Sequence, residues 1–309
     1  MPYCFARGFT NGRRDNHILI LQQKTKHLTI LCIFIFTLIW VPILWGTEER
    51  PKTEIFVTIP PQAYLVKKLC PDRCAVYVLI QPGASPHAYE PTPRQITLLS
   101  KARAYFTIGL PVEEALLPRI KKINKSLIVV PTQEGVIMRP MEHQGPHSGT
   151  DPHIWLDPGR AKIMAHNIHW ALTRLIPEET GNLDKNLRTL TGELNMLHEE
   201  IRQILAPVRG KKLYVFHPAF GYLAEAYGLK QVPIEMEGKE PSPKYLARLI
   251  SEAQKDRVKA IFVQPQFSPK GAKALAQAIG AKVIPLDPLA YDYAQNMIKM
   301  AKQIRENVP

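Results

Sequence analysis

Downstream of residue 50, short apolar blocks alternate with longer stretches of mixed character. The blocks at residues 55–59 and 76–80 read as strands around a helix at 62–69, which is a βαβ beginning. A helix near 92–100, a strand at 104–108, a helix near 112–122 and a strand at 127–130 continue the alternation. Such alternation predicts a parallel sheet with helices on both faces. Residues 132–150 carry no apolar period, and their Gly, Pro, His and Gln mark a surface loop. Between Pro177 and Pro207, Leu183, Leu187, Leu190, Leu194, Leu197, Ile201 and Ile204 recur at spacings of four and three. Only about three heptads are present and α/β segments flank them, so a helix lying along two lobes explains the seam better than a coiled coil. About 25 residues at 1.5 Å each span roughly 38 Å.

Past that helix the alternation resumes. Strands are expected at 212–216, 231–234, 260–263 and 282–285, with helices around 219–227, 243–255 and 270–279 and a terminal helix from about 291. The expected fold is therefore α/β: two lobes, each with a parallel sheet flanked by helices, joined by one long rigid helix. The expected division is residues 1–46 as a signal peptide or N-terminal anchor, 47–177 as the first lobe, 178–206 as the linking helix and 207–309 as the second lobe.

The chain has 309 residues, 45% of them hydrophobic, enough for two compact lobes. Its formal charge of +13 invites a nucleic-acid reading. However, residues 1–46 hold five of the Lys/Arg and one acid, leaving 35 basic and 26 acidic residues that nowhere form a run of five like charges. No phosphate-tracking surface is indicated, and nucleic acid is not an expected partner. From Leu28 to Trp45 the chain is uncharged, with Lys24 and Lys26 just before. That pattern predicts export, with Pro42 and the polar chain after Glu48 favouring cleavage near Gly46 over an uncleaved anchor. Leu44 stands where a small residue is expected, so the cleavage site and the true start residue stay open. Cys70 and Cys74 are the only cysteines beyond the signal. They read either as a local disulfide suited to an oxidising compartment or as two packed thiols, and two thiolates alone do not make a metal site.

Four segments share one design, in which an apolar strand or a Pro-flanked turn ends in a potential metal ligand: PGASPHAYEP with His87, DPHIWLDP with His153, VFHPAF with His217 and VIPLDP with Asp287. In open α/β sheets ligands bind outside the carboxyl ends of the strands, and proline beside each candidate restricts its backbone. Three imidazoles and a carboxylate make a tetrahedral N/O set suited to zinc; manganese or iron recruits more oxygen. The four lie roughly 65 to 70 residues apart, so only the complete fold assembles them. Each one alone also fits a capped turn. Tyr89 and Trp155, two residues beyond a ligand, suit either a cleft wall or the core. Asp157 suits either a hydrogen bond to a ligand imidazole or the cap of a helix starting near Gly159. His166, His169 and His198 read as surface or packing residues.

PGASPHAYEPTPRQ, DPHIWLDP, VFHPAFGYLAEAYGL followed by IEMEGKEPSP, and the final DPL together resemble the zinc and manganese solute-binding proteins of bacterial ABC transporters, the cluster A-I metal-binding family, from about Thr53 onward. The resemblance implies two α/β lobes on one long helix, an ion between them, and ligands at His87, His153, His217 and Asp287. His at the third position points to the zinc branch, where manganese members carry Glu. It also implies a periplasmic, monomeric protein whose cargo is Zn2+, with Mn2+ second. Its partners are then a permease and its ATPase subunit, and it meets the membrane through that permease or an uncleaved N-terminal segment. Zinc members often carry a long His-rich insert before His153, whereas this chain has only His143 and His147, an auxiliary capture pair or a plain solvated loop. A zinc hydrolase needs an open position for water, which the fourth ligand fills, and no HExxH, GxSxG or phosphate-cradling glycine loop occurs, so an enzyme is not expected. An adhesin or metal buffer on the same fold is compatible with these residues.

Overall fold

The structure, a computed structural model, describes residues 51–309 apart from 82, 87–88, 143–148, 236–239 and 268–269. The segment from Leu28 to Trp45, together with His87, His143 and His147, lies outside the described residues. Among the described residues no helix is long and apolar enough to cross a membrane.

The first lobe holds β1 (Thr53–Val57), α1 (Pro60–Leu69), β2 (Cys74–Val78), α2 (Pro93–Leu99), β3 (Ala104–Thr107), α3 (Pro111–Ile123) and β4 (Ile128–Pro131). Its strands are all parallel in the order β2-β1-β3-β4. β1 starts and ends two residues before the hydrophobic block. The Gln62 side chain explains the end: its Oε1 accepts the backbone N–H groups of Thr58 and Ile59 at 3.0 and 3.2 Å, which turns the chain into α1. Cys70 and Cys74 form a disulfide across the α1–β2 turn, Cα atoms 5.7 Å apart.

A single 3-10 turn, Ile154–Leu156, leads into α4 (Pro158–Leu175), and a short 3-10 turn precedes α5 (Thr180–Leu205). At 26 residues, α5 is about 39 Å long at 1.5 Å per residue. Of the predicted seam Leu183, Leu190, Leu194, Leu197 and Ile201 are buried, Leu187 and Ile204 are partly buried, and Leu205 closes the seam in place of Ile204. The second lobe holds β5 (Lys212–Val215), α6 (Gly221–Tyr227), β6 (Lys230–Pro233), α7 (Pro243–Lys255), β7 (Ala260–Val263), α8 (Lys270–Ile279), β8 (Lys282–Pro285) and α9 (Tyr293–Asn307). Its parallel order, β6-β5-β7-β8, repeats that of the first sheet. In each sheet the chain reverses its direction of growth between the first and third strands of the lobe, the kind of crevice in which open α/β sheets bind ligands.

α5 packs against α1 and α4 on one side and α6 and α9 on the other. One apolar core consequently runs from Ile55 through the α5 seam to Ile304, and a second, smaller core fills the far side of the second lobe around Tyr214, Ile261 and Leu275. Polar bonds reinforce the junction. Tyr293 on α9 donates its hydroxyl to the Trp155 carbonyl at 2.6 Å, and Tyr222 on α6 donates to the Asp151 carbonyl at 2.9 Å while accepting the Arg139 N–H. Gly221 permits this approach, since a Cβ there would lie 2.8 Å from Asp151 Oδ2.

Leu194 is buried in the seam at the middle of α5. Leu194→Ala is expected to cost about 2–5 kcal/mol, the range for a Leu truncated in a core. Urea unfolding followed by circular dichroism measures it, and a loss under 1 kcal/mol would contradict the role given to the seam.

Candidate metal site

His217 follows β5, whose buried apolar residues run straight into it. Gln264, just past β7, clamps the His217 backbone: its Nε2 donates to the His217 carbonyl at 2.7 Å, and its Oε1 accepts the His217 N–H at 3.2 Å. Glu235, just past β6, sets Oε1 2.5 Å from His217 Nδ1. A carboxylate only accepts, so this bond places the proton on Nδ1 and the lone pair on Nε2. The Phe267 ring stacks on the imidazole with centroids 4.5 Å apart.

His153 is built in the same way from the other lobe. It caps the 3-10 turn, and Asp151 Oδ1 accepts its backbone N–H at 2.9 Å while standing 2.7 Å from its Nδ1. The lone pair again falls on Nε2. The two imidazole rings meet with centroids 5.3 Å apart, and both residues line a cavity of about 20 Å³, room for roughly one water molecule or ion. Trp155, Leu110, Pro86, Gln266, Phe267 and Pro288 supply much of its wall. The Trp155 indole donates to the Pro288 carbonyl at 2.7 Å, so this buried residue serves as cleft wall and core at once.

Asp287 follows β8 and directly precedes Pro288 and Leu289, which line this cavity. Its Oδ1 accepts from Gln266 Nε2 at 2.8 Å and from the Leu289 N–H at 3.0 Å. Asn296 on α9 donates to its backbone carbonyl at 2.7 Å. The structure therefore brings His153 and His217 together, and connects Asp287 to their cavity only through its hydrogen bonds to the lining residues Gln266 and Leu289. His87 lies outside the described residues, although Pro86 before it lines the cavity. Among the described residues, no group of three or more His, Cys, Asp or Glu side chains stands close enough to hold a metal ion.

Asp151, Glu235 and Gln266 are the residues that sequence reasoning missed. Asp151 sits in a legible D-x-H; Glu235 lies 18 residues from its partner, inside the quoted segment IEMEGKEPSP, where nothing local links it to His217. Of the two roles open to Asp157 the structure shows the helix cap, and the support of an imidazole falls to Asp151. Asp157 caps α4 by accepting the Gly159 N–H at 2.8 Å and pairs with Arg160 at 2.7 Å. Tyr89 hydrogen-bonds Gln95 at 2.9 Å. His166 is exposed, His169 pairs with Asp184 at 2.8 Å and His198 lies 3.3 Å from the Tyr227 hydroxyl, all as surface or packing residues.

Burying the Asp151 and Glu235 carboxylates behind two imidazoles favours positive charge in the cavity. Burial pushes the His217 imidazole below the ordinary histidine range, against the upward pull of Glu235. Replacing that carboxylate by an amide removes the upward pull. Glu235→Gln is thus expected to lower the His217 pKa further, read from its ring-proton shifts in an NMR pH titration of metal-free protein; a rise would contradict this balance.

The family model described as zinc-uptake complex component A, periplasmic, matches residues 55–307. A high-affinity zinc uptake system protein ZnuA of Bacillus subtilis (strain 168) is 32% identical over 256 residues, covering 78% of this chain and 80% of its own. A crystal structure of ZnuA is 39% identical, with a TM-score of 0.79 over 83% of this chain and 99% of that one. A ZnuA deletion mutant with zinc bound is also 39% identical, with a TM-score of 0.78 over 83% of this chain and 98% of that one.

Proposed function

The chain belongs to the family of zinc-uptake complex component A, periplasmic, and from that premise we propose that it captures Zn2+ between its lobes and delivers it to an ABC importer. The observation that carries this reading is the meeting of His153 and His217 from opposite lobes, each with Nδ1 against a buried carboxylate. Both Nε2 lone pairs are thereby prepared for an ion, and the carboxylates raise the basicity of the imidazoles. The ligand set is His87, His153, His217 and Asp287. Three nitrogens and one oxygen suit four-coordinate zinc, with Mn2+ as second choice.

The protein is a solute-binding component and not an enzyme. Residues 1–46 act as the export signal, cleaved near Gly46, and release a monomer whose lobes span 47–177 and 207–309 on either side of the helix at 178–206. The ion closes the lobes slightly, and the shared core with its Tyr293 and Tyr222 bonds keeps that movement small. The loaded protein docks on a permease, and ATP hydrolysis by a separate subunit drives entry. Docking through the permease is its contact with the membrane.

Competitive zinc titration of the chain from Thr47 onward tests the site. His217→Ala and Asp287→Ala should each lower affinity at least tenfold, since each removes one of four ligands; unchanged binding in both would sink the assignment. Acid gives a second test. Since burial holds His217 below the usual range, that residue is a neutral imidazole at pH 7 with its one proton on Nδ1, and a second proton competes with the ion for Nε2 only in acid. Zinc affinity should therefore fall as pH drops from 7 to 5, and a flat profile would remove the imidazoles from the site.

A further inference from the structure

The hydrogen bonds that hold Asp287 are unevenly shared between its two oxygens. Both of its hydrogen bonds fall on the same oxygen. Gln266 Nε2 donates to Oδ1 at 2.8 Å, and the Leu289 N–H donates to Oδ1 at 3.0 Å. A carboxylate oxygen has two lone-pair sites, so Oδ1 is saturated. Oδ2 receives no hydrogen bond from any described residue.

The orientation of the Gln266 amide follows from chemistry. Reversing it would set a carbonyl oxygen against the Asp287 carboxylate, two acceptors facing each other. With Nε2 turned to Asp287, Oε1 is buried without a hydrogen-bond partner among the described residues. An apolar side chain of similar shape would fill the position without that orphaned oxygen. Packing alone therefore does not account for an amide here, whereas the bond to Asp287 does. Gln266 also lines the cavity that holds His153 and His217.

We propose that Gln266 is a positioning residue that sets metal specificity: together with the Leu289 N–H it occupies Asp287 Oδ1, so that the carboxylate offers an ion one oxygen, Oδ2, and not two. This rests on Asp287 being a ligand. One-oxygen ligation completes a four-coordinate N/O set, the arrangement zinc accepts. Mn2+ seeks more oxygen ligands, and two-oxygen ligation by the same carboxylate would be the nearest source of one. Holding Oδ1 away therefore selects against the harder ion at a site whose ligands would otherwise admit it.

The test compares Gln266→Met, which keeps the shape and loses the donor, with Gln266→Asn, which keeps the amide but is too short to reach Oδ1. Zinc and manganese affinities are measured by chelator competition on metal-stripped protein, and the visible spectrum of the Co2+ complex reports coordination number. Both variants should narrow the zinc-to-manganese affinity ratio by about tenfold or more, the scale on which residues behind a ligand act. Their Co2+ bands should weaken as the ion gains a ligand. An equal loss of affinity for both metals with an unchanged Co2+ spectrum would mean a merely structural role and would overturn the proposal. An unchanged ratio in both variants, with Asp287→Ala still lowering zinc affinity, would overturn it and leave the binding site standing. Asp287→Ala with unchanged zinc affinity would take Asp287 out of the ligand set and this proposal with it, while His217→Ala tests the rest of the site.

Discussion

Two imidazoles that belong to different lobes can share an ion only while those lobes stay in register, and the continuous apolar core along α5 supplies that register. A linker of turns would leave His153 and His217 to find each other anew at each encounter, with the ordering cost that entails. Here α1 and α4 on one side and α6 and α9 on the other pack the same 26-residue helix. The meeting of His153 and His217 is thus a by-product of ordinary hydrophobic burial at a distance from them. Short polar bonds such as that between Tyr293 and the Trp155 carbonyl then fix the last few ångströms.

Around the cavity, each candidate ligand of the described region is held by a different partner, but the method is shared. Asp151 orients His153, Glu235 orients His217 and Gln266 orients Asp287. Each of these three lies just beyond a structured element or at the pinned end of a loop, so its position is set by the same scaffold that sets the ligand. Asp151 is tied by its own N–H to the Arg139 carbonyl and by its carbonyl to Tyr222. Preorganisation of this kind reduces what the ion itself must rearrange.

Much of this architecture was legible in the chain because it rests on periodicity. The leucine seam of α5 and the alternation of strands and helices are statements about which residues face water, and burial in the structure follows them. The extent of α4 was less visible. Its buried stripe mixes Met164, Ile168 and Leu172 with Ala161, Ala165 and Ala171, side chains too small to widen the face visibly. Strand ends shifted where a side chain took over backbone bonding, as Gln62 does at Thr58. The site divided along the same line. Histidines beside prolines announce themselves, whereas Glu235 and Gln266 acquire their partners only when β6 lies beside β5 and β7 beside β8.

The cross-link between Cys70 and Cys74 spans a turn of only three intervening residues. Its two halves are therefore near each other in the extended chain, before any long-range contact exists. No other cysteine follows residue 74, so an exported chain oxidised from residue 47 onward has a single intramolecular pairing open to it. Scrambling within one molecule is impossible, and correct oxidation needs no catalyst to choose among partners. Only a neighbouring copy offers an alternative thiol, which makes crowding, not sequence complexity, the circumstance in which this protein would cross-link wrongly.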